Sequence, residues 1–126
     1  MAREAHQNGP LPSPILSRIE QFSARLEDWL IEPAQPALIH GDIWTTNVLT
    51  SNGRVTGFID PAIYYGHAEI ELAYTTMFGV FGQTFGSVFF ERYNAIQPIE
   101  PGFFEARRHI YNLYPLLVHV RLFGLR

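Results

Sequence analysis

Hydrophobic and polar positions divide the chain into stretches of different period. Ile15, Leu16, Ile19, Phe22, Leu26, Trp29 and Leu30 hold a 3.6-residue spacing, with Glu20, Arg25, Glu27 and Asp28 between them. This predicts an amphipathic helix with Ser13 as N-cap, Pro14 at its first position, and Pro33 and Pro36 ending it. The dozen residues before it, with Asn8-Gly9-Pro10 and Pro12, read as an irregular lead-in. Further on, Ala37-Leu38-Ile39 is a short apolar run. Val48-Leu49-Thr50 and Val55-Thr56-Gly57-Phe58-Ile59 then flank Ser51-Asn52-Gly53-Arg54. Asn-Gly between two apolar runs is a strong hairpin signal, because both turn residues must take positive φ. The helical period returns at Glu69, with Ile70, Ala73, Tyr74, Met77 and Phe81 on one side until Gly79 and Gly82 loosen it. A third helix is expected over Thr84 to Tyr93. A last one, from about Phe103, carries Phe104, Arg107, Ile110, Tyr111, Tyr114, Leu117, Val118 and Leu122, with Pro115 bending or splitting it. The pattern predicts an α+β, mainly α chain containing a small β-hairpin.

Composition narrows the partners. At 126 residues, 47% hydrophobic and 14% aromatic, the chain has enough apolar material for one core. The phenylalanines at 78, 81, 85, 89, 90, 103 and 104 fall at helical spacings and read as core. All nine basic residues are Arg, set against twelve acidic ones for a formal charge of -3, so no broad cationic face exists and nucleic acid is not an expected partner. No apolar run approaches the roughly 20 residues needed to span a bilayer, and Met1-Ala2-Arg3-Glu4-Ala5-His6 lacks the apolar core of a signal peptide, so no membrane is expected. The absence of Cys excludes disulfides, thiolate metal sites and cysteine nucleophiles, and fits a cytoplasmic protein.

Candidate chemistry collects between Ile39 and Glu71. The residues are His40-Gly41-Asp42-Ile43-Trp44-Thr45-Thr46-Asn47 and Asp60-Pro61-Ala62-Ile63-Tyr64-Tyr65-Gly66-His67. Asp42 and Asn47 bracket the loop that leads into one hairpin strand, and Asp60 follows the other. Because a hairpin brings its outer ends together, Asn47 and Asp60 should lie close, with Asp42 beside them. Oxygen donors of this kind suit magnesium better than zinc. One carboxylate outside the metal shell is then free to orient a hydroxyl and accept its proton. The residues alone point to magnesium-dependent phosphoryl transfer or hydrolysis. The plainer readings are that Asp42 caps a turn, that His40 is a hydrogen-bonded packing residue, that Trp44 is core, and that Tyr64, Tyr65 and His67 form an ordinary turn.

The order Asp42, Asn47 five positions on, and Asp60 after the hairpin resembles the catalytic segment of the protein-kinase-like fold. His-Gly-Asp in place of His-Arg-Asp, and Ile-Asp-Pro in place of Asp-Phe-Gly, resemble the aminoglycoside phosphotransferase and small-molecule kinase branch. Within that branch, several segments together resemble the fructosamine kinase family. They are His40-Gly41-Asp42-Ile43-Trp44, Ile59-Asp60-Pro61-Ala62, Tyr64-Tyr65-Gly66-His67 with Glu69, Leu72-Ala73, and Leu116-Leu117-Val118-His119 with Leu122-Phe123-Gly124. The resemblance covers roughly residues 15 to 124. Thr45-Thr46 and Ala68 depart from the family's usual small pair and basic residue.

This resemblance implies the C-terminal lobe of a kinase-like fold, using ATP and magnesium to phosphorylate a sugar hydroxyl of a ketosamine or other glycated amine. It implies Asp42 as catalytic base and Asn47 and Asp60 as magnesium and nucleotide ligands. Trp44, Tyr64 and His67 would face the substrate, while His40 and Glu71 would support the catalytic loop. With no Lys among the 126 residues, the ATP-binding N-terminal lobe is expected to lie outside this chain, as is a final helix. The chain therefore reads as one partial domain, 1–126, weak or inactive alone and self-associating through exposed apolar faces. The competing readings are a non-catalytic half-kinase that binds or regulates a partner, and a kinase of the same fold acting on an aminoglycoside or another small alcohol.

Overall fold

The computed structural model describes residues 1–77 and 85–124. It is an α+β structure of five helices and two separate two-stranded antiparallel sheets among the described residues. Helix α1 spans Ala2–Gln7, α2 Ser13–Ser23, α3 Ala68–Tyr74, α4 Ser87–Ile96 and α5 Arg108–Phe123. Strands β1 (Ala37–Ile39) and β4 (Tyr64–Gly66) form one sheet, and β2 (Val48–Ser51) and β3 (Arg54–Phe58) the other.

The predicted hairpin forms at the predicted turn. Asn52 at φ 50° and Gly53 at φ 72° both take the left-handed conformation that a two-residue turn of matching twist requires. The register, Ser51 opposite Arg54 and Leu49 opposite Gly57, shifts between Leu49 and Thr50, so Thr56 is the extra residue of a bulge. The β1–β4 pair was not legible from pattern, because three-residue strands separated by 24 residues carry no local turn signal.

Several expectations are corrected. The lead-in is not irregular: Ala2–Gln7 is helical, and fully buried Ala5 packs with Leu11 and Leu117. Long-range packing supplies what a six-residue helix lacks by itself. The second helix does not run to Pro33. It ends at Ser23, whose hydroxyl donates to the Glu20 carbonyl at 2.9 Å, and a single 3₁₀ turn, Leu26–Asp28, follows. Ser13 is its first helical residue and not the cap; Pro12 holds the cap position without a side-chain bond. Its apolar face is only partly covered, since Leu16 and Ile19 pack against the Ala5 cluster whereas Ile15 is exposed, as is Trp29 beyond the 3₁₀ turn. The helix expected from Glu69 stops at Tyr74, and Phe78, Gly79, Phe81, Gly82 and Thr84 lie outside the described residues. The next runs over Ser87–Ile96, in place of Thr84 to Tyr93. Pro115 does not split α5, which continues through it after a π-helical turn at Phe103–Arg107.

Two apolar clusters meet across α5. One joins Leu72 and Ala73 of α3 to Phe90 and Phe103, with Tyr93 and Tyr111 against them, and the other seats α1 and α2 on Leu117. Phe90 and Phe103 are buried as expected, while Phe104 is 36% exposed. The hairpin leaves Leu49, Val55 and Phe58 exposed. Among the described residues, no helix is long and apolar enough to cross a membrane.

Beside the first cluster lies a buried ion pair. Arg107 donates from Nε and Nη2 to the two Glu69 carboxylate oxygens, both at 2.7 Å, and from Nη1 and Nη2 to the Pro101 and Glu100 carbonyls, both at 2.8 Å. Both side chains are 5% exposed, so each charge has lost its water and depends on the other. The bonds to Glu69 hold the Arg107 guanidinium above its ordinary range, so it stays charged.

Arg107→Ala strands the Glu69 carboxylate and should lower unfolding free energy by about 3–5 kcal/mol, measured by urea titration. An effect below about 1 kcal/mol would mean that water replaces the guanidinium without cost. Burial also raises the phenols of Tyr64, Tyr93 and Tyr111 above their ordinary 10.0. Their folded values exceed their unfolded ones, so the unfolded state releases protons first as pH rises, and stability is lost above about pH 10. The urea midpoint should therefore fall on the alkaline side; an unchanged midpoint from pH 9 to 11 would contradict these burials.

Candidate active site

The loop between β1 and β2 is held by groups distant in sequence. One Glu71 oxygen, Oε2, accepts the backbone N–H groups of both His40 and Gly41, the latter at 3.2 Å. The His40 ring accepts the Asp42 N–H on Nδ1 at 3.3 Å, which puts its proton on Nε2, where it donates to the Ile59 carbonyl at 2.9 Å. The Ala62 N–H donates to the His40 carbonyl at 2.8 Å. The segment carrying Asp60 is thereby tied to the loop carrying Asp42 from both sides.

Gly41 is required at this crossing. Its φ is +79°, and a Cβ there would sit 2.3 Å from the Ala62 carbonyl oxygen and 2.8 Å from the Tyr64 ring.

The Asp42 carboxylate is bonded on both oxygens. Asn47 Nδ2 donates to Oδ2 at 3.0 Å and to the Asp42 carbonyl at 2.8 Å, while the Tyr74 hydroxyl donates to Oδ1 at 2.5 Å. Asn47 is buried and its amide hydrogens are directed at Asp42, which leaves its amide oxygen as the acceptor on the other side. The Asn47 carbonyl accepts the Ile59 N–H at 3.0 Å, so the two outer ends of the hairpin do meet. Asp60 is the next residue, exposed and held at φ 54°, a left-handed conformation sparsely populated by side-chain-bearing residues.

Asp42, Trp44 and Tyr64 line one cleft of about 1390 Å³, whose other walls include Phe22 and Leu26 and the Ile110–Phe123 stretch of α5. Asp60 and His67 are not among its lining. His67 instead caps α3, its Nδ1 accepting the Glu69 N–H at 3.1 Å, and its ring stacks at 6.0 Å from Tyr111. No cluster of three or more His, Cys, Asp or Glu suited to a metal occurs among the described residues. The Asn47 amide oxygen and the exposed Asp60 carboxylate are oxygen donors of the kind a hard cation retaining several waters takes.

Sequence reasoning missed Tyr74, which the helical period assigns to the core. The available signal was its spacing from Glu71: residues three apart share one helix face, so a helix that presents Glu71 to the loop presents Tyr74 with it. Burial, then the bond to Asp42, raises the Tyr74 phenol far above its ordinary range and keeps it protonated as a donor.

The sequence and fold of this chain are similar to those of known proteins. The family model for fructosamine kinase matches residues 3–126. A protein of Synechocystis described as a probable ketoamine kinase is 37% identical over 126 residues, covering 98% of this chain and 38% of that protein. A ketosamine-3-kinase of Mus musculus is 44% identical over 90 residues, which is 71% of this chain and 27% of the mouse protein. The crystal structure described as that of a "putative fructosamine-3-kinase" from Thermobifida fusca matches with a TM-score of 0.79 at 35% identity, covering 98% of this chain and 41% of that one. The chain belongs to the fructosamine kinase family. It spans less than half the length of these relatives.

Gly41→Ala should destabilise the fold by at least about 2 kcal/mol, because positive φ and the clash with Ala62 act together. Thermal unfolding checks this. A melting temperature within about 1 °C of the original would show that the crossing relaxes without cost.

Proposed function

We propose that this chain carries the catalytic-loop part of an ATP- and magnesium-dependent kinase that phosphorylates a sugar hydroxyl of a ketosamine. The observation that carries this reading is the Asp42 carboxylate, bonded on both oxygens and facing a cleft, with an oxygen-only donor pair beside its loop. In it, Asp42 orients the acceptor hydroxyl and takes its proton. Asn47 Oδ1 and the Asp60 carboxylate hold magnesium, and Asn47 thereby ties the metal position to that of the base. Magnesium, when bound, neutralises charge on the phosphoryl group being transferred.

Trp44 and Tyr64, on the cleft wall beside Asp42, are the sugar-facing groups in this reading. His67, occupied in capping α3, contributes less to the substrate than the family resemblance implies. His40 and Glu71 keep the loop in place through the bonds described above. The chain corresponds to a C-terminal lobe, with β2–β3 as the hairpin that carries the metal ligands. These residues include no Lys, so a lysine clamp on the ATP phosphates comes from outside them. The relatives' greater length leaves room for the lobe that would supply it.

In the full-length protein supplied with ATP, magnesium and a fructose-lysine adduct, Asp42→Asn should lower kcat by about 10²–10⁴-fold while nucleotide still binds. Asp60→Asn should abolish magnesium-dependent nucleotide binding. Turnover that survives Asp42→Asn would remove the base from this reading, and unchanged magnesium dependence in Asp60→Asn would remove the ligand.

A further inference from the structure

The Tyr74 hydroxyl donates to Asp42 Oδ1 at 2.5 Å, while Asn47 takes Oδ2 at 3.0 Å. Two donors on different oxygens fix the plane of a carboxylate; one alone leaves it free to swing about its last torsion. Tyr74 and Asp42 line the same cleft, so this contact lies on the side open to an acceptor. We infer that Tyr74 is a positioning residue for the phosphoryl-transfer reaction, holding the Asp42 carboxylate in the plane in which it meets the acceptor hydroxyl. The inference rests on the reading of Asp42 as the base.

The mounting of Tyr74 suits that task. It sits three residues after Glu71 on one face of α3, and Glu71 holds the backbone N–H groups of His40 and Gly41. Backbone and side chain of the catalytic loop are thus both set from one short helix. Glu69, two residues before Glu71 and hence across the helix, is locked to buried Arg107 by two bonds of 2.7 Å. A group carried on a rigid element holds its geometry better than one on a loop. The phenol also stays protonated, so it remains a donor at any pH at which the enzyme works.

Removing only the hydroxyl tests this. In the full-length protein, Tyr74→Phe should lower kcat about 10–100-fold, as expected when a reacting group loses its alignment, and leave KM for ATP within about twofold. A purely structural role would instead lower the melting temperature and leave kcat of the folded fraction unchanged. That outcome, or an unchanged kcat, would overturn the inference. Asp42→Asn run alongside separates the two readings: activity that ignores Asp42 defeats the assignment of the base, whereas activity that needs Asp42 but ignores the Tyr74 hydroxyl defeats only this one. A crystal structure of Tyr74→Phe gives a readout that needs no turnover. Asp42 should rotate or take two conformers; a carboxylate that keeps its single orientation on Asn47 alone would overturn the inference.

Discussion

The carboxylate of Glu69 is almost completely removed from water and is held by two hydrogen bonds from Arg107, so breaking the pair leaves a buried charge alone. That constraint sets the rest of the structure. Arg107 also donates to the Glu100 and Pro101 carbonyls, so the pair ties α3 to the approach to α5 as well as to its start. Neither helix can rotate without stranding a charge. With α3 seven residues long, fixing one face fixes the other.

From that opposite face the loop carrying Asp42 is assembled. Glu71 accepts two backbone N–H groups and Tyr74 donates to Asp42, so the helix meets the loop first as an acceptor of its main chain and then as a donor to its side chain. The His40 ring and the Ala62 amide join the same loop to the segment around Asp60. Gly41, where the two segments cross, has room for no side chain. The electrostatics are spare: a carboxylate held by neutral donors, an amide oxygen, and a second, exposed carboxylate. For the proposed reaction, whose catalysis is mostly positioning and charge neutralisation, such a set depends on rigid geometry.

The elements legible in the sequence are those whose signal is local. Asn52-Gly53 marks its own turn because both residues must take positive φ, and the hairpin that follows from it brings the Asn47 and Ile59 backbones together. The misreadings fall where distant packing or a side-chain bond outweighs the apolar period. Residues 2–7 are helical because Ala5 is buried against Leu117, far along the chain. The apolar period through Leu30 continues past the point where Ser23 ends the helix. Tyr74 looks like core because a half-buried phenol and a buried apolar ring follow the same period, and only the position of its hydroxyl tells them apart.

The sequence by itself therefore determined the kinds of chemistry available: oxygen donors without thiols, a carboxylate and an amide five positions apart, and a hairpin whose outer ends meet. Tertiary structure decided how these groups are held. Which acid bonds the loop and which meets Arg107 depends on the rotation of α3, and Glu69 and Glu71 are the same residue type two positions apart. The physical reason is that hydrogen bonds across 31 residues, from His40 to Glu71, and across 38, from Glu69 to Arg107, leave no mark in local spacing. They exist only once the chain has closed on itself.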